Sequence, residues 1–117
     1  MPLFYRLTYH ADPDPDDFRS QAELGRGRPR DVSQEDWESV SILDSAESAA
    51  ALRQRVLEAT GRNLGDFIGE LDIPEEVAVR QQGSDPHHYL VRRPAEELVG
   101  YVRHIAAVLP LEPDEGH

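Results

Sequence analysis

Among its 117 residues the chain has no cysteine and no lysine. The first absence removes disulfides, thiolate nucleophiles and every Cys-ligated zinc or iron–sulfur site. The second removes a Walker-type phosphate loop, a Schiff base and a lysine general base, and it makes all 12 basic residues arginine. Aromatic residues are few, at 7%. No window approaches the roughly 18 apolar residues that a membrane helix needs. The opening Met1-Pro2-Leu3-Phe4-Tyr5-Arg6 lacks the basic-then-apolar order of a signal peptide, so a cytoplasmic location with no membrane partner is expected. Positive charge is also scarce: 23 acidic side chains leave a net charge of −11. That field opposes nucleic-acid phosphates and favours a basic protein partner.

What is present reads as one small domain, residues 1–111, followed by an acidic tail at 112–117. Leu3 to Tyr9 is rich in aromatic and branched residues and predicts a strand, with Leu3, Tyr5, Leu7 and Tyr9 on one face. Its other face carries Phe4, Arg6 and Thr8, which puts Arg6 mid-strand between apolar neighbours. Asp14 as cap, Pro15 at the first helical position and Gly25 as stop predict a short helix from Pro15 to Leu24. Ser33, three residues before Asp36, caps one helical turn that carries Trp37. Ser39 to Leu43 predicts a short strand. Asp44 with Glu47 opens a longer helix whose Ala49, Leu52, Val56 and Ala59 share a stripe and which stops at Gly61.

Asp66 to Ile73, Val77 to Gln82 and His87 to Arg93 predict further strands, the last two joined by the turn Gly83 to Pro86. Pro94 starts a final helix. Residues 98–109 fit either a continuing helix or a helix followed by a strand. Strands before, between and after two or three short helices predict an α+β domain with a small mixed or antiparallel sheet.

Several constellations compete for the chemistry. Asp12, Asp14, Asp16 and Glu23 sit at calcium-loop offsets, but Asp17 stands where that loop requires glycine, so the acidic turn reads as a helix cap. Arg26-Gly27-Arg28-Pro29 matches the core of an AT-hook, yet no second basic cluster supports DNA binding. A solvated loop, or one that attracts an anionic ligand, accounts for it. His87 and His88 are adjacent on a strand and therefore face opposite sides, one packed and one wet, which disfavours a shared metal ion.

Three features taken in order carry a family resemblance: the mid-strand Arg6, the Ser39-Val40-Ser41 strand leading into an alanine-rich helix, and the strand ending in Asp72-Ile73-Pro74. This order resembles the ADP-ribosyltransferase family over residues 3–93. The resemblance implies an ADP-ribosyltransferase-like fold and NAD as a possible cofactor. Arg6 would match the first-strand residue that holds the NAD ribose or phosphate, and Ser39 and Ser41 the outer positions of the serine motif, with Val40 in place of threonine. The family's catalytic glutamate is missing, because Asp85-Pro86-His87-His88-Tyr89-Leu90 stands in its place. His88 or Tyr89 would there be the polar contact beside the reacting ribose.

The expectation is therefore a degenerate module of this fold that binds a nucleotide-type ligand or a protein partner. An active NAD-dependent transferase and an unrelated acidic interaction domain are the alternatives. The bland account of Arg6 is an ion pair with Glu70 or Asp72.

Overall fold

The computed structural model describes residues 3–83 and 85–108. Six strands, β1 (Leu3–Thr8), β2 (Val40–Leu43), β3 (Phe67–Asp72), β4 (Val79–Gln81), β5 (His88–Val91) and β6 (Val102–Ala107), form one sheet. Its order is β4-β5-β2-β1-β3-β6, and every neighbouring pair is antiparallel. Helices α1 (Gln34–Trp37), α2 (Ala46–Thr60) and α3 (Ala95–Val99) and a 3-10 helix at Pro15–Phe18 complete an α+β domain. Among the described residues no helix is long and apolar enough to cross a membrane. The acidic tail expected at 112–117 lies outside the described residues.

Local signals set most of these elements. Ser45, one residue after the expected Asp44, caps α2 by accepting from the Ser48 N–H at 3.0 Å. Gly61 ends that helix in the left-handed region, at φ 77°, and donates its N–H to the Leu57 carbonyl. Ser33 caps α1 through the Asp36 N–H as expected. The helix expected from Pro15 to Leu24 is shorter. Asp14 caps it, but it runs only as the 3-10 helix and Arg19 is already extended, at ψ 137°. Two competing demands end it. Phe18 is fully buried in the core, and Ser20 and Glu23 start a second turn by exchanging side-chain-to-backbone hydrogen bonds. At the other end the chain leaves α3, passes Gly100 and enters β6, so the described part of that stretch, 98–108, holds the end of a helix followed by a strand.

The sheet packs on both faces. On one, Phe18, Val40, Ile42, Leu71, Val91 and Leu98 build the larger core, with Phe4 and Tyr89 packed against it. On the other, α2 covers Leu7 and Leu43 through Ala49, with Leu52, Leu64 and Ile68 alongside.

The two seams of the central strand differ. β1 pairs with β3 at six successive positions, from Leu3↔Asp72 to Thr8↔Phe67. With β2 it shares one pair, Tyr5↔Leu43. One half of the sheet thus meets the other through a seam that is mostly open.

Candidate functional site

The open seam is where Arg6 lies. Its side chain leaves β1 on the Phe4 face, and the guanidinium spans the gap. Nη1 donates to the Ser41 carbonyl and Nε to the Asp17 carbonyl, each at 2.7 Å. These bonds to two backbone oxygens strap β1 to β2 and to the 3-10 helix where ladder hydrogen bonds are lacking. They also orient the fork without neutralising it. Burial lowers the Arg6 pKa to about 10 against the pull of Asp17 and Tyr9, which leaves the group cationic at neutral pH.

Among the described residues no carboxylate pairs with Arg6. Glu70 instead takes the Tyr5 hydroxyl and Arg103, and Asp72 faces Arg103. Asp17, the nearest acid in sequence to the strap, is occupied: its carboxylate accepts the backbone N–H groups of Tyr9 and His10 and contacts the His10 ring at 2.9 Å.

Two chambers of about 380 Å³ each meet at this strap, and Arg6, Arg19, Ser41 and His88 line both. One extends toward α1 and is polar, with Ser39, Gln82 and Asp36 on its walls. The other extends under the end of α2, between Arg26 and Arg62, and is partly apolar, with Leu24 and Tyr9 at its mouth. Tyr9 and Leu24 are the exposed large hydrophobics of the described chain, at 55% and 46%, and both border this chamber. A cleft carrying four arginines thus opens in a protein of net charge −11. Asp16 and Asp17 line the same chamber and Asp16 pairs with Arg19, so the arginines exceed the acids there by two, against the sign of the whole.

The site residues singled out from the sequence divide. Arg6, Ser41 and His88 come together, and Ser39 joins them on the polar side, its hydroxyl donating to the Glu35 carbonyl at 2.8 Å. Tyr89 does not. Alternation along β5 sends it to the opposite face, where its ring packs edge-on against Phe4 with centroids 5.4 Å apart, and it lines neither chamber. His87 is exposed and contacts the Asp44 carboxylate at 3.1 Å.

His88 is half-buried, and its Nε2 is buried with no hydrogen-bond partner in the described chain. Burial depresses its pKa, and the Arg6 charge adds to this against the attraction of Asp85. Sequence reasoning missed Tyr9, Arg19, Leu24 and Arg62. Each sits on a different segment and carries no motif. Arg26 was legible as part of a basic loop, either solvated or attracting an anionic ligand, and Trp37 holds that loop by donating its indole N–H to the Arg26 carbonyl.

No protein-family model, no curated protein and no solved structure matches this chain.

Proposed function

We propose that the chain is a degenerate ADP-ribosyltransferase-like module that binds a nucleotide-type ligand in the cleft at the open seam. One observation carries this reading: the Arg6 guanidinium is held inside the cleft by two carbonyls, keeps its charge, and stands among Arg19, Arg26 and Arg62. Such a group presents its remaining N–H donors to a phosphate or pyrophosphate in a fixed fork. Tyr9 and Leu24 offer apolar surface to a base, and the serines and aspartates of the polar chamber suit ribose hydroxyls.

Binding is favoured over transfer because no glutamate lines either chamber among the described residues. The neutral imidazole of His88 supplies no carboxylate for an oxocarbenium-like transition state.

The test is titration with ADP-ribose and with NAD by calorimetry. Saturable binding is expected, without nicotinamide release. Arg62→Ala, an exposed change that leaves the strap intact, weakens it about fivefold, as the loss of one charge-assisted contact implies. Arg6→Ala abolishes it. Absence of saturable binding by the folded wild-type chain overturns the reading.

A further inference from the structure

The Nε2 atom of His88 has no explanation in the packing of the protein. A buried polar atom without a partner is costly, and natural proteins retain few of them. This one belongs to a side chain that borders both chambers, as does the Arg6 guanidinium, which forms no ion pair among the described residues.

We propose that His88 makes ligand binding in this cleft proton-coupled: an anionic nucleotide at Arg6 draws the imidazole into its protonated form, so the cleft takes up a proton from solvent together with its ligand. This rests on the nucleotide reading above and adds to it a regulation by pH.

Burial disfavours the imidazolium most, and the charges around the ring act on top of it. Arg6 from β1 opposes an imidazolium, and Arg19, Arg26 and Arg62 share its chambers. The acids nearby are largely committed elsewhere. Asp17 holds the Tyr9 and His10 N–H groups, Asp16 pairs with Arg19, and Asp36 pairs with Arg80. Asp31 lies on the exposed loop bordering the polar chamber, and Asp85, in the turn before β5, is the acid that attracts the ring. Without ligand, burial is the main force that keeps the imidazole neutral; Arg6 adds to it and Asp85 opposes it. A phosphate docked on Arg6 cancels the repulsion and adds attraction, so the protonated form becomes favourable once the ligand is bound. By linkage, whatever raises proton affinity on ligand binding raises ligand affinity on protonation by the same factor.

The experiment measures the Kd of ADP-ribose between about pH 8 and about pH 5.5, the range in which histidine titrates. The pyrophosphate bridge of this probe keeps its charge throughout, so any slope belongs to the protein. Affinity is expected to strengthen about tenfold toward the acid end. His88→Gln, which preserves polarity and removes the titration, flattens the dependence, while His87→Gln leaves it intact. A wild-type chain that binds with no slope, or a His88→Gln variant that keeps the slope, overturns the coupling alone. No binding at any pH overturns the cleft reading and the coupling with it.

Should His88→Gln fail to fold, the titration of the His88 ring in the wild-type chain is followed by NMR with and without ADP-ribose. A midpoint raised by the ligand supports the proposal. An unmoved midpoint overturns it.

Discussion

The two seams of β1 solve the same problem by different means. Toward β3 the backbone satisfies itself through six successive pairs, and near its end Gly65 approaches so closely that a Cβ there would stand 2.4 Å from the Thr8 carbonyl oxygen. Toward β2 one pair remains, and a side chain replaces the missing ladder.

An arginine stands at each seam. Arg53 donates Nε to the Gly65 carbonyl at 2.6 Å and Nη2 to the Asp66 carboxylate at 3.0 Å. Arg6 donates Nε and Nη1 to two carbonyls and meets no carboxylate among the described residues. The first is a closed structural link. The second keeps its positive charge and forms no ion pair among the described residues. A seam strapped by a cation is a joint whose charge is left over, which is what the proposed anion site uses, whereas a complete ladder makes only a joint.

The largest effect is expected from tightening the closed seam further. Gly65 has a φ of 143°, and any side chain there collides with the Thr8 backbone, which cannot yield without breaking the β1–β3 pairing. Gly65→Ala is expected to cost about 3 kcal/mol, or roughly 15 °C in melting temperature for a domain of this size, as read by thermal denaturation.

Next comes the exchange of roles between the two arginines. Arg6→Leu leaves the Ser41 and Asp17 carbonyls without their donor, which costs about 2 kcal/mol, and it removes ADP-ribose binding. Arg53→Leu is expected to lower stability by about 1 kcal/mol and to leave ADP-ribose affinity unchanged. Equal loss of affinity in both variants would erase the distinction between the seams.

The smallest effect concerns two histidines near the open seam. His10 has its pKa raised by its hydrogen bond to Asp17, so its contribution is full below the ordinary imidazole value of about 6.5 and is lost as pH rises through the folded-state pKa. His88 is shifted the other way. Its neutral form is favoured on folding, so stability is lost as pH falls below about 6.5. In melting curves taken across this range, His10→Gln is expected to lower stability on the acid side, and His88→Gln to remove part of the acid-side loss.

Much of this was legible in the sequence wherever a local hydrogen bond or an alternation decided the outcome. Asp14, Ser33 and Gly61 terminate or cap their helices as their residue types require. Arg6 stood out because a charge in mid-strand needs a reason. That one of His87 and His88 is packed and the other wet was expected, while the structure decides that His87, in the turn before β5, is the exposed one. Tyr89 was expected at the ribose from the family resemblance, although alternation along the strand already turns it away from His88, and it packs on Phe4. The length of the 3-10 helix was likewise hidden, because Phe18 is drawn into a core whose other members come from β2, β3, β5, α3 and the segment after β3.

By itself the sequence determined the chemistry available: no thiol, no lysine, an acidic surface, and an arginine set among apolar neighbours in the first strand. It also determined the local elements, since caps, glycine stops and period-two patterns act over a few residues. Only the tertiary structure decided that β1 and β2 part after a single pair, that Arg6 bridges the gap without a carboxylate, and that Tyr9, Leu24 and Arg62 border the same cavity. The physical reason is range: a cap is written within four residues, whereas a seam and the cleft it leaves open depend on how the two halves of the sheet are packed by cores drawn from the whole chain.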